Sequence, residues 1–309
     1  MGGNDLDLAL ARCGFLTCAE KELLAKKLDK LESLTVLSIE DICQIVGRRV
    51  KTRLWSPETL PGLVDRDRET MRKCGIQFVP AYSPEYPPLL REIHDPPYAL
   101  FWRGTLPNPE KPLVAIVGTR SPSGSGVVAA TRIGREFGLA GISVVSGLAR
   151  GIDAFAHRGN VDGGGASVAV LACGPDRVYP RSNARLAASM VEAGGCLLSE
   201  YPPGESPLQF RFPQRNRIIS GLARSVLVVE APRKSGALIT ADFALEQGRE
   251  LFVCAAALDS PRSEGTRRLS EDGAQAILGA DVILAAWRRV YIPTPRGAEP
   301  GKQLSLGFS

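Results

Sequence analysis

The stretch PLVAIVGTRSPSGSG, residues 112–126, decides the fold. Its apolar residues run without a polar break from Leu113 to Val117 and stop at Gly118, as in a strand buried on both faces. A turn of small polar residues follows, and then a helical pattern. The same unit recurs to about residue 286, with strand candidates at 113–118, 142–146, 167–172, 196–199, 225–230, 250–254 and 281–285. Strands alternating with helices call for an α/β fold, a parallel sheet with helices on both faces. Ligands of such sheets lie at the carboxyl ends of the strands.

Outward from this core, residues 1–75 are helical in pattern. Ser38 reads as an N-cap and Gly47 as a terminator, and the basic run RRVKTR resembles a helix-hairpin-helix or SAM-like module. Residues 76–110 are rich in proline and aromatics and read as a junction of extended chain. Residues 111–287 form the main domain, and 288–309 read as a flexible tail. Among the 309 residues, 44% are hydrophobic and 23% charged, an ordinary globular balance. No apolar run approaches the roughly 20 residues of a membrane span. Seven cysteines without a CxxC pair read as reduced thiols of a cytoplasmic protein and speak against a metal site. The net charge of +5 leans only weakly towards an anionic partner, so its placement matters more than its sum.

That placement is uneven. Arginine and lysine gather at strand-to-helix turns: Arg120 beside Ser121, Arg181 beside Asn183, Arg211, the triplet Arg215, Asn216 and Arg217, and Lys234. Small residues that let backbone amides approach an anion stand at Gly118 and at Ser146, Gly147 and Gly151. These loops match neither GxGxxG nor GxxxxGK[ST], so no dinucleotide or other cofactor is expected. Ser146, Asp153 and His157 form a triad only on paper, because the GxSxG elbow of a hydrolase is missing; a capping Asp153 and a packed His157 are the simpler expectation. Basic residues mixed with Tyr179, Phe210 and Phe212 suit phosphates and stacked bases, and the absence of a recognition helix favours single-stranded nucleic acid.

The motifs VGTR, SGLARGID with a following AH, YP with Asn183, LLSEYPPG, FPQRNRIISGLA, VVEA and SGALITADFALEQGRE occur in that order between residues 76 and 285. Together they resemble the DNA-processing protein A family. The resemblance implies an extended Rossmann-like fold that binds single-stranded DNA, forms homodimers, protects incoming DNA and loads the RecA recombinase in natural transformation, without catalysis. It also implies that Arg120, Arg181, Arg215, Asn216 and Arg217 line the DNA pocket. The chain departs from the family pattern at Ser125, at FVCAAALD, and at Arg267 and Ser270, and it ends before the winged helix that many members carry.

Two further resemblances stand beside this one. The tail peptide QLSLGF, with Gln303, Leu304, Leu306 and Phe308, resembles peptides that dock in the bacterial sliding clamp. The alternative to a binding protein is an enzyme. KSGALITADFALE lies where LOG-like phosphoribohydrolases, which act on nucleoside monophosphates, carry PGGxGTxxE. Ser235-Gly236 replaces the double glycine and Phe243 stands in place of the Glu; Glu200 and Glu230 are the carboxylates at strand ends.

Overall fold

A computed structural model describes residues 4–52 and 55–289. Five helices come first: α1 (Asp5–Arg12), α2 (Cys18–Lys27), α3 (Leu31–Thr35), α4 (Ile39–Val46) and α5 (Leu60–Cys74). The junction follows as β1 (Ile76–Pro80), α6 (Pro88–Arg91) and β2 (Ala99–Gly104). The main domain then runs β3 (Val114–Val117), α7 (Gly124–Leu139), β4 (Val144–Ser146), α8 (Ile152–Asp162), β5 (Val168–Val170), α9 (Ala184–Glu192) and β6 (Cys196–Ser199). It closes with α10 (Arg211–Leu222), β7 (Ser225–Val228), α11 (Gly236–Glu246), β8 (Glu250–Cys254), α12 (Glu264–Glu271), β9 (Gln275–Ile277) and α13 (Ala280–Arg289).

All strands join one nine-stranded sheet in the order β1-β2-β6-β5-β4-β3-β7-β8-β9. The seven strands of the main domain are parallel, whereas β1 and β2 pair antiparallel and extend the sheet beyond β6. The junction therefore does more than connect: it supplies an edge of the sheet. From β3 the chain winds outwards through β4, β5 and β6, then returns to the other side of β3 for β7. That reversal opens a crevice at the carboxyl end of β3.

Side-chain alternation fills both faces. Ala115, Val117, Val226 and Val228 join a core shared with α10, α11 and the N-terminal helices. Val114, Ile116, Val144 and Leu227 face α7, α8 and α13. The N-terminal helices are anchored by polar bonds as well. Asp7 accepts the hydroxyls of Tyr82 at 2.8 Å and Tyr98 at 2.7 Å. Arg12 grips Asp67 of α5 through Nε at 2.7 Å and reaches Glu205 and the Pro203 carbonyl, each at 3.1 Å.

Ser38 caps α4 as expected, with Asp41 bonding back, and Gly47 ends it at φ +73°. The expected strand at 281–285 is instead part of α13. Asp281 lies in the first turn of that helix, and Ile283 and Trp287, four apart, are buried together. A short apolar run satisfies either period, and here the helical one wins. The last strand is the short Gln275–Ile277 at the sheet edge.

Helices α7 and α8 meet through glycine. A Cβ on Gly159 would fall against the Thr131 backbone, with Thr131 Cα 3.0 Å away. Gly159→Ala is therefore expected to lower the free energy of unfolding by about 1–3 kcal/mol, the usual cost of overpacking. A urea midpoint equal to that of the unsubstituted chain would contradict this close approach.

Candidate nucleic-acid interface

The loops after β3, β4, β5, β6 and β7 enclose a cleft of about 620 Å³ at the strand reversal. Arg120, Tyr179, Phe212, Asn216 and Lys234 are among the residues on its walls. Arg120 is exposed and its guanidinium lies 5.7 Å from the Phe212 ring centre. Phe212 in turn sits 5.5 Å from Tyr179, which is 48% exposed. A cation next to two accessible rings offers one phosphate contact and a surface on which a base can stack.

The arginines of the RNR triplet also bond within the protein. Arg215 is buried; it donates to the Val170 carbonyl at the end of β5, and its guanidinium packs under Gly147. Burial pulls its pKa down to about 10, against the opposing charge of Asp153. Arg217 makes two bonds to Glu200, at 2.8 and 2.6 Å, and a third to the Asp95 carboxylate at 3.1 Å. Burial works against its charge, but Glu200 and then Asp95 outweigh burial, and its pKa rises. Both arginines brace the loops around the cleft: Arg215 also lines the cleft itself, and Arg217 is paired with Glu200 and Asp95. Asn216 ties α10 to the next loop by donating to the Gly236 carbonyl at 3.1 Å. Arg211 is also engaged, with Glu205 at 2.7 Å.

The expected phosphate loops are likewise taken up by internal bonds. Ser146 donates to the Ile116 carbonyl at 2.6 Å, and the Gly147 amide donates to Asp153 at 3.1 Å. Gly118 must be glycine because a Cβ would press on Ile152 and on the Glu230 carbonyl. Gly151 turns at φ +79° against Thr119 and Arg120. The N-terminus of α7 already holds an anion: buried Glu230 accepts from the Ser123 amide at 2.8 Å and hydroxyl at 3.0 Å, and from the Ser260 hydroxyl at 2.6 Å. Glu230 is thus bonded to the Ser123 and Ser260 loops, and Glu200 to Arg217 of α10.

The exposed cations with no carboxylate partner among the described residues are what a polyanion would meet. Arg120, Arg181 and Lys234 are of this kind, and Ser121 is exposed beside Arg120. Arg150 belongs with them and was not singled out from the sequence. It is exposed at the tip of the loop whose Leu148 and Ala149 carbonyls accept from Asn183 at 2.9 and 3.2 Å. Asn183 therefore joins the loops of Arg150 and Arg181. Its sequence signal is RGID, where an arginine follows a small residue at a Gly turn. The clamp-peptide residues Gln303, Leu304, Leu306 and Phe308 lie outside the described residues. Among the described residues no helix is long and apolar enough to cross a membrane, and no His, Cys, Asp and Glu cluster is arranged to hold a metal ion.

His157 does not join a triad with Ser146 and Asp153. Its Nδ1 lies 2.7 Å from the Ser167 hydroxyl, which itself donates to the Val144 carbonyl, so Nδ1 carries the proton. Burial, helped by the charge of Arg215, lowers its pKa to about 3. Above its ordinary value of 6.5 the ring is neutral in both folded and unfolded chains, and nothing is lost. As pH falls from about 6.5 towards 3, the unfolded chain binds a proton that the folded one refuses, so stability declines by up to about 1.4 kcal/mol per pH unit. His157→Gln is expected to flatten that decline when urea midpoints are compared at about pH 7 and pH 5. An equal decline in both proteins would exonerate the ring.

Residues 77–288 match the family described as DNA recombination-mediator protein A. The chain is 46% identical over 211 residues to Protein Smf of Escherichia coli, covering 67% of this chain and 55% of that protein. It is 42% identical over 213 residues to DNA processing protein DprA of Bacillus subtilis, covering 69% and 71%. It thus spans about half the length of the Escherichia coli relative. DNA processing protein A from Streptococcus pneumoniae superposes with a TM-score of 0.72 at 32% identity, over 92% of this chain and 98% of that one. DNA processing protein A from Helicobacter pylori, described for its single-stranded DNA binding mode, gives 0.61 at 29%, over 68% and 96%. The matched residues include every wall of the cleft and the sheet from Gln77 onwards, and the chain belongs to the DNA recombination-mediator protein A family.

Proposed function

We propose that this protein is a non-catalytic, single-stranded DNA-binding mediator whose cleft at the strand reversal receives the DNA. The observation that carries this reading is the set of exposed cations without carboxylate partners, Arg120, Arg150, Arg181 and Lys234, beside the Tyr179–Phe212 rings. A duplex hides its base faces, whereas a single strand offers phosphates and faces to one groove. On this reading the protein, acting as a homodimer, shields incoming DNA and passes it to RecA during natural transformation. The family membership and the single-strand binding described for the Helicobacter pylori relative support the first step.

Arg120→Ala and Lys234→Ala are each expected to weaken binding of a labelled oligo-dT strand and to reduce the slope of log K against log salt by about 0.7. The same variants should promote RecA assembly on that strand less well than the unsubstituted protein. Affinity and slope unchanged in both variants, read by fluorescence anisotropy, would remove the cleft from the DNA path. The tail is proposed to dock in the sliding clamp. Leu306→Ala with Phe308→Ala should abolish clamp binding in surface plasmon resonance and leave oligo-dT affinity intact, and persistence of clamp binding would refute that role.

A further inference from the structure

The arginines engaged around the cleft differ in what they would leave behind if a phosphate drew them away. Withdrawal of Arg217 would strand Glu200, which is 16% exposed and bonds no other cation. Withdrawal of Arg215 would leave the Val170 carbonyl without its bond and the buried Asp153 without its opposing charge. Arg211 is different, because its carboxylate partner has a second cation. Glu205 receives Arg211 Nη2 on Oε2 at 2.7 Å and Arg12 Nη1 on Oε1 at 3.1 Å. Arg12 keeps its own buried partner, Asp67, in every case.

The surroundings of Arg211 also favour an incoming anion. It is the first residue of α10, a twelve-residue helix with no side-chain cap and no acid in its first turn. Its Nε is buried without a partner. Its guanidinium lies 4.3 Å from the Tyr201 ring centre and donates through Nη1 to the Ser206 carbonyl at 2.9 Å, two contacts that do not involve Glu205. Its near neighbours Gln209 and Phe212 line the cleft. Glu205 is itself fixed through its backbone, whose carbonyl accepts the Gly174 amide at 3.0 Å, so the loop does not depend on the carboxylate.

We infer that Glu205 is a displaceable counter-ion: a strand phosphate takes Arg211 from it, and Arg12 of the N-terminal helices holds the released carboxylate. Arg12 is then a positioning residue for DNA binding, although it touches no part of the cleft. This inference rests on the single-stranded DNA reading above.

The test is oligo-dT affinity at several salt concentrations. Glu205→Gln should bind roughly two- to fivefold tighter at low salt, the range of a partly exposed ion pair released from competition. Its salt slope should steepen by up to about 0.7, one added phosphate contact. Arg211→Ala should bind more weakly and show no gain when Glu205→Gln is added. Arg12→Met with Asp67→Leu removes both charges of the buried pair together, so the fold keeps no orphan. It should weaken binding by leaving Glu205 wholly to Arg211, and adding Glu205→Gln should restore it. A purely structural role predicts that every one of these variants binds worse. Glu205→Gln binding no tighter than the unsubstituted protein would overturn the inference, as would a gain that persists in Arg211→Ala. Failure of the unsubstituted protein to bind oligo-dT would instead overturn the reading on which the inference rests.

Discussion

The cleft is braced by a charge that is almost wholly buried. Arg215 enters from α10, bonds the end of β5 and packs beneath Gly147, while Asp153 gathers the amides of the same loop from α8. Burial raises the Asp153 pKa and lowers that of Arg215, and the charge of each opposes the shift in the other, with the Gly147 and Ala149 amides adding to the support of Asp153. Asn183 and Asn216 add further ties across the same walls. The loop carries Arg150 outwards and rests on Asn183, so the geometry of the exposed cations follows from the buried one.

Around that support, the interface divides its cations by duty. Those near the sheet are neutralised inside the protein, as Arg217 is by Glu200, and set the shape of the loops. Those further out have no carboxylate partner among the described residues, and the proposed role gives them the attraction. The division is economical because a long-range field needs only the uncompensated charges, whereas a rigid lip needs short, paired bonds. Glu230 shows the same logic at α7: an internal carboxylate occupies the helix N-terminus, so the anion-binding capacity there serves cohesion instead of ligand.

The parallel sheet was legible because its strands are short, uninterrupted apolar runs set off by glycine turns, as from Leu113 to Gly118. The crevice followed from topology. What stayed hidden was pairing at a distance. Nothing near Arg217 in sequence announces Glu200 or Asp95, and nothing near Ser123 announces Glu230. An arginine beside a loop therefore reads as a ligand contact until its partner is seen. The 281–285 run failed for a different reason, since five apolar-rich residues fit both periods, and only burial of Trp287 one turn beyond decides for helix. In the junction, which reads as extended chain with short strands, Pro80 is tolerated because it stands at the end of β1, the strand at the sheet edge.

The bond between Arg12 and Glu205 joins residues 193 positions apart. The central strand β3 likewise pairs with β7, Val114 opposite Ser225. During synthesis the N-terminal helices leave the ribosome long before their polar partners do, and the middle of the sheet has an open side until β7 arrives. Long-range closure of this kind slows folding, and it exposes an unpaired strand edge for the duration. The helices α7 and α8, which lie close in sequence and pack backbone to backbone, are the part of the main domain best placed to settle first and hold β3 and β4 in register while the remainder is made.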